Sequence, residues 1–322
     1  MTTDPPVVSC VTVSYNTREA TLGFLRSLIG SSPSETTEVI VVDNGSRDGT
    51  ADAIRDEFPS VKLIDAGENL GFASGVNRGA DLATGEYLLL LNPDMLVLPG
   101  SVTALIDFAK DHPTYGIYGG RTLRRDQRLE PSSCWAGPTI WSLLMFSTML
   151  STFFRGSPVF DPESMGTWKR DSVREVAIVT GCLLLIRRSL FQEIGRMDED
   201  FFLYGEDAEF CLRSRALGWR PVIVPEATMI HDVGGSSAAS GQKTLMVLAG
   251  KVTLFHKIWS PRRARVGCTL LLVGVAARAL LARVLRRHTG WSTAWQRRRD
   301  WRAGYPAARS TIFGLPQENL NH

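Results

Sequence analysis

The sequence predicts an α/β fold whose central, mostly parallel sheet is flanked by helices. Three observations predict it. Short continuous apolar runs alternate with helix-like segments over the first hundred residues, the runs are rich in β-branched residues, and polar residues cluster where the runs end. Strands buried on both faces read as continuous rather than alternating apolar runs, and the helices between them supply the crossovers that parallel strands need.

Val8–Ser14 (VSCVTVS) opens the series, and Thr21–Ile29 follows with apolar residues at helical spacing. Glu38–Asp43 (EVIVVD) is the second strand and ends in Asn-Gly; Asp48–Phe58 reads as a helix and Val61–Ile64 as the third strand. Ala73–Ala83 is a helix and Tyr87–Leu91 (YLLLL) a buried strand. Beyond Leu98 come a helix at Gly100–Lys110, a basic stretch at Arg121–Arg128 and an uncharged segment from Pro131 to Phe154. Val176–Arg187 reads as one strand, Ser189–Ile194 as a short helix ended by Gly195, and Glu206–Leu217 as a helix ended by Gly218, where glycine takes the left-handed cap. Arg220–Val224 and Thr228–Ile230 read as two short strands, and Asp232–Lys243 as a small polar loop with the composition of a lid.

The net charge of +3 hides a split: residues 1–250 carry 22 basic and 31 acidic groups, residues 251–322 carry 14 and 2. A uniformly basic nucleic-acid binder is therefore excluded, and an acidic body with a basic tail for an anionic surface fits. The tail segment 262–287 is apolar but interrupted by Arg278 and Arg283 and flanked by further arginines. An amphipathic helix lying in a membrane interface is the first reading, a tilted span with snorkelling arginines the second, and a helix packed on the protein the third. The five cysteines, Cys10, Cys134, Cys182, Cys211 and Cys268, contain no C-x-x-C pair, which argues against a disulfide framework or structural zinc and for a reducing compartment. The start MTTDPPVVSC does not resemble a secretory signal.

Open α/β sheets bind ligands at the carboxyl ends of their strands, and Ser14-Tyr15-Asn16 and Asp43-Asn44-Gly45-Ser46 stand at two such ends. No G-x-G-x-x-G follows the first strand and no G-x-x-x-x-G-K-[ST] occurs anywhere, so dinucleotide and P-loop readings lose their warrant. Asp43 can accept the N3–H of a uracil or thymine ring and Tyr15 can stack on it, although an Asp before Asn-Gly also serves as a plain turn residue. Gly71, Gly75 and Gly79 leave one helix face bare, for close packing or for a ligand. Asn92-Pro93-Asp94 ends a buried strand, where a carboxylate can hold a divalent cation or simply turn the chain. Glu206, Asp207 and Glu209 crowd a helix start; the helix dipole favours acids there, and Asp207 is also the candidate general base. His231, after a short strand, is a candidate metal ligand or an ordinary packed histidine.

In order and spacing these stretches, VTVSYNTRE, EVIVVDNGSRDGT, ENLGFASGVNRGADLATGEYLLLLNPDM, VTGCLLLIRRSLFQEIGRMDEDFFLYGEDAEFCLRSRALGWR and VPEATMIHDVGGSS, resemble inverting family 2 glycosyltransferases of the GT-A fold, and among them the bacterial rhamnosyltransferase-like members. The resemblance implies a GT-A catalytic domain over 1–250, with a nucleotide-binding half to about residue 100 and an acceptor half from about 101, followed by a basic amphipathic tail over 251–322. It implies that Val13 and Tyr15 cradle the base, that Asp43 receives the pyrimidine N3–H, and that Asn69, Asn77 and Asn92 lie near the nucleotide sugar. It places Asp94 and His231 as ligands of Mg²⁺ or Mn²⁺ and Asp207 as the base. Asn92 stands where the family's D-x-D has its first Asp, removing one negative charge from the cation site.

The implied partners are a TDP- or UDP-linked sugar, with TDP-rhamnose first, and a lipid-linked or polymeric cell-envelope saccharide. The implied location is cytoplasmic and peripheral, on the inner face of the plasma membrane, with the tail on its anionic surface and no nucleic acid involved. Two other classes remain open: an inactive glycan- or partner-binding protein on the same fold, and a nucleotidyltransferase, which would want a glycine-rich basic loop where this chain has SYNTRE.

Overall fold

A computed structural model describes residues 6–31, 37–231 and 240–313. The chain divides into two compact units: Met1–Trp135 with Trp168–Asp198 and Phe210–Ser236, and Ala136–Thr167 with Glu199–Glu209 and Ser237–His322.

The first unit is built on a nine-stranded sheet. Its strands are β1 (Val8–Ser14), β2 (Thr37–Asp43), β3 (Lys62–Asp65), β4 (Tyr87–Leu91), β5 (Met95–Val97), β6 (Ile117–Leu123), β8 (Arg174–Glu175), β10 (Leu183–Arg187) and β11 (Val222–His231); β7 (Cys134–Trp135) and β9 (Ile178–Val179) pair separately. The order is β3-β2-β1-β4-β10-β6-β11-β5, with β8 on β11. The four N-terminal strands are parallel, as their apolar runs predict, while β10 runs antiparallel to both β4 and β6. The helices are α1 (Arg18–Ser31), α2 (Thr50–Glu57), α3 (Phe72–Leu82), α4 (Ser101–Asp111), and further on α7 (Arg188–Ile194) and α8 (Glu206–Ala216), of which the residues from Phe210 belong to this unit. Burying side chains such as Leu25, Leu28, Val41, Leu89 and Leu185 completely contributes about 1.5–3 kcal/mol each.

Two strand expectations are corrected. Val176–Arg187 is not one strand: Thr180, Gly181 and Cys182 turn the chain between β9 and β10, with Leu183 N–H donating to the Thr180 carbonyl at 3.3 Å. Arg220–Val224 and Thr228–Ile230 are instead one strand, β11, whose register shifts between Val224 and Thr228. Pro225 lies in that shift, where a residue without an N–H is tolerated. Of the expected loop Asp232–Lys243, residues 232–239 lie outside the described residues, and Ser240–Lys243 begin a helix.

The second unit is helical: α5 (Ile140–Ser147), α6 (Leu150–Phe153), α9 (Ser240–Ile258), α10 (Pro261–Val284), α11 (Gly290–Gln296), α12 (Arg298–Arg302) and α13 (Ala307–Phe313). The tail is thus part of a helical assembly with α5 and α6. Gly267 and Gly274, seven residues apart on α10, let Trp259 and the Phe146 ring come so close that a Cβ would stand 2.5 and 2.4 Å from them. Arg278 is buried on the same side, donating to the carbonyls of Phe146 (2.6 Å) and Gly274 (3.1 Å) and to Thr152 Oγ1 (2.8 Å), with its guanidinium over the Phe146 ring. Arg278 is therefore an interior anchor, not one of the lipid-facing arginines expected from the sequence.

Candidate active site

The carboxyl ends of β1, β2 and β4 carry the predicted donor residues. Seven-residue pairing of β1 with β2 sets Val13 opposite Val42 and Ser14 opposite Asp43, so the two strand ends are level. Val13 is half-buried and Tyr15 is 47% exposed, its ring free to meet a ligand. Asp43 is buried, and its carboxylate accepts the Ser46 N–H at 3.0 Å and the Ser46 hydroxyl. Burial pushes its carboxyl above the usual carboxylate range against those two bonds. A carboxylate has about four acceptor positions, so two bonds from Ser46 leave capacity for one more donor. Gly45, at φ 72°, is needed here because a Cβ would lie 2.7 Å from the Glu68 nitrogen.

Asn44 donates to the Gly71 carbonyl at 2.9 Å, and Asn69 Oδ1 accepts the Gly71 N–H at 3.0 Å, which knits the β2 end to the loop before α3. Asn77 does not fit the expected role. It is buried, its amide donates to the Met197 carbonyl at 3.0 Å and its Oδ1 accepts the Met197 N–H at 3.1 Å, so it braces α3 within the unit. The bare glycine face of α3 is filled by protein: a Cβ on Gly75 or Gly79 would stand 2.8 Å from Val13 or 2.4 Å from Val11.

Asn92-Pro93-Asp94 forms a tight turn between β4 and β5, closed by Met95 N–H donating to the Asn92 carbonyl at 3.2 Å. Antiparallel pairing of β5 with β11 sets His231 opposite Met95 and thereby beside Asp94. His231 Nε2 lies 3.3 Å from Asp94 Oδ1, the side chains being 10% and 12% exposed. That oxygen is buried yet makes no hydrogen bond. The other ring nitrogen, Nδ1, faces the Ser132 hydroxyl at 3.3 Å. Octahedral ligands held at ~2.1 Å lie ~3 Å apart, so an orphaned carboxylate oxygen and an imidazole nitrogen at this spacing fit adjacent positions of one divalent cation. No group of three or more His, Cys, Asp or Glu able to hold a metal occurs among the described residues, so waters and donor phosphates would complete the shell.

In the second unit, Tyr204 and Gly205 take left-handed backbone (φ 67° and 111°) and turn the chain into the start of α8. A Cβ on Gly205 would lie 2.9 Å from Phe201. Glu206 is 4% exposed and its Oε2 has no hydrogen-bond partner. Burial, and after it the adjacent Asp207, raises its pKa to about 8, so Glu206 carries a proton at neutral pH. Asp207 is half-buried, and its Oδ1 accepts the Ala208 N–H at 2.7 Å. Glu206 is thus the buried, proton-holding member of the pair and Asp207 the more exposed one. Sequence reasoning placed Ser46 at a strand end but missed its bonds to Asp43, and it missed Ser132 and the protonation of Glu206. The Ser46 bonds were within reach, three residues after Asp43 in a turn; Ser132 meets His231 across 99 residues, and no local pattern announces it.

Polar strand ends and a buried Asp94–His231 pair suit a nucleotide-sugar site. The chain belongs to Glycosyl transferase family 2, whose family profile matches residues 9–195. It is 30% identical over 275 residues to the N-acetylglucosaminyl-diphospho-decaprenol L-rhamnosyltransferase of Mycobacterium tuberculosis, covering 79% of this chain and 86% of that one. It is 26% identical to the dTDP-rhamnosyl transferase RfbF of Shigella flexneri, covering 71% and 70%. Among solved structures it is similar to the mannosyltransferase PcManGT of Pyrobaculum calidifontis, in complex with GDP-Man and Mn²⁺, with a TM-score of 0.57, 19% identity and coverage of 97% and 88%.

Proposed function

We propose that this glycosyltransferase moves L-rhamnose from TDP-rhamnose to a lipid-linked saccharide of the N-acetylglucosaminyl-diphospho-polyprenol kind, with inversion at the anomeric carbon. The observation that carries the donor half is the Asp94–His231 pair, beside strand ends that present Asp43 and Tyr15. The rhamnosyltransferase relatives support the sugar and acceptor.

Asp43 accepts the pyrimidine N3–H, Tyr15 and Val13 take the face of the base, and Asn69 and Asn92 border the sugar-diphosphate. When bound by Asp94 and His231, Mg²⁺ or Mn²⁺ supplies positive charge to the departing diphosphate. Asp207 takes the proton of the acceptor hydroxyl as that oxygen attacks the face opposite the leaving group, so one displacement inverts the centre without a covalent enzyme intermediate. Neutral Glu206 places no second negative charge beside that base. The location that suits a lipid-linked acceptor and a cytosolic nucleotide sugar is the inner face of the plasma membrane, bound peripherally.

The test is transfer from TDP-rhamnose and from UDP-hexoses to N-acetylglucosaminyl-diphospho-polyprenol, followed by nucleoside diphosphate release and by the anomeric configuration of the product. Release of TDP with an inverted rhamnoside is expected; retention, or transfer from UDP-hexoses alone, would overturn the assignment.

A further inference from the structure

The sides of α10 differ in what they meet. Ala264, Gly267, Leu271, Gly274, Val275 and Arg278 are buried, whereas Val266, Val273, Leu280 and Val284 are 49%, 49%, 63% and 69% exposed. At 100° per residue the exposed four, spaced seven, seven and four apart, form one straight apolar stripe ~27 Å long on the side away from the glycines. Thr152 accepts from Arg278 on the buried side of α10, and the next two residues, Phe153 and Phe154, are 70% and 50% exposed. Exposed Arg155 follows them, exposed Arg286 and Arg287 border the C-terminal end of α10 and exposed Arg262 and Arg263 the other, and the sequence has no Asp or Glu from Lys251 to Arg299.

We infer that this two-part surface, the outer stripe of α10 together with Phe153 and Phe154, is a docking face for an anionic lipid bilayer. It deepens the peripheral placement proposed above by locating it on the fold. Charge decides the occupant: an apolar stripe with exposed arginines at both ends and no acidic residue in its own helix complements anionic headgroups over acyl chains, while a second copy would set arginine against arginine. Because its other side is committed to α5, α9 and α11 and holds a buried, satisfied arginine, the helix lies along the surface. Arg278 thus ties α6 to α10 through Thr152.

The test is co-sedimentation of the full chain with vesicles of phosphatidylcholine alone or with 30% phosphatidylglycerol. Binding to the anionic vesicles, weakened by salt, is expected. Each pair loses apolar area that would be buried among acyl chains, so Leu280→Asp with Val284→Asp, and separately Phe153→Ser with Phe154→Ser, should each lower the vesicle partition at least ~tenfold. Leu217→Asp, 59% exposed in the first unit, should leave it unchanged. Absence of binding by the unaltered chain, undiminished binding by both double variants, or conversion of a dimer to a monomer by them in sedimentation velocity would overturn the proposal. Nucleoside diphosphate binding by the same variants separates the two readings: vesicle binding without it would leave the docking face standing and the donor assignment fallen.

Discussion

Gly79→Ala tests how the glycine face of α3 works, because the same substitution at Gly23 gives an internal comparison. A methyl group on Gly79 would stand 2.4 Å from Val11 Cγ1 and 3.3 Å from Val42 Cγ2, side chains 1% and 0% exposed. Carbon atoms pack at ~3.5–4.0 Å, so α3 would have to lift by ~1 Å, since β-branched Val11 is stiff at χ1 and has nowhere to turn. Overpacking of this kind costs ~1–3 kcal/mol, offset by the ~1 kcal/mol that alanine gains over glycine inside a helix. Gly23 sits inside α1 with nothing within 4 Å of its would-be Cβ, so Gly23→Ala keeps the whole helix gain. Urea unfolding should therefore show Gly23→Ala stabilised by up to ~1 kcal/mol and Gly79→Ala less stable than it by ~1–3 kcal/mol. Equal stability of the two variants would refute the packing account and reopen the glycine face as a ligand surface.

Three further outcomes follow from named side chains. Asp207→Asn should lower transfer by ~10²–10⁴-fold while nucleotide affinity stays within twofold of the unaltered enzyme; near-normal turnover would remove Asp207 from the base role. Glu206 holds its proton more tightly when folded, with a pKa near 8 against an ordinary 4.5, so the stability it contributes is complete below pH 4.5 and is lost as pH rises through about 8. Thermal denaturation of Glu206→Gln across pH 5–9 should lack that decline, and parallel curves for the two proteins would place the titration elsewhere. Cys10, Cys134, Cys182 and Cys211 are buried and Cys268 is half-buried, so by access Cys268 alone should react with a maleimide in the native protein, as read by mass spectrometry of the labelled peptides.

How much the sequence disclosed depended on how local the cause was. The strands β2 and β4 were legible because each carries an unbroken apolar run, Val39–Val42 and Tyr87–Leu91, and β1 because its valines are separated only by small or β-branched residues. β5, β7, β8 and β9 are two or three residues long and exist through their partners; β5 is held by β11, more than 130 residues later in the chain, so no run announces it. The split of Val176–Arg187 turns on Thr180-Gly181-Cys182, whose apolar flanks mask the bend. In the site, Asp43, Asp94 and His231 were readable as residue types at strand ends. The 3.3 Å meeting of Asp94 with His231 follows from the β5–β11 register, which the sequence does not write. Asn77 misled because its helix position suits a ligand contact, and only the long-range bonds to Met197 show what occupies it. Arg278 is the plainest case: an arginine amid leucines reads as lipid-facing until its partners, Phe146 and Thr152, are known.

The central claim is that Asp94 and His231 hold a divalent cation against the diphosphate of a pyrimidine nucleotide sugar. Titration calorimetry of TDP and UDP, with and without Mn²⁺, on the unaltered chain, Asp94→Ala and His231→Ala tests it most directly. Metal-dependent binding by the unaltered chain, lost in both variants, is the predicted result. Binding of equal strength with and without metal in all three proteins, or no binding by a chain shown to be folded, would contradict it.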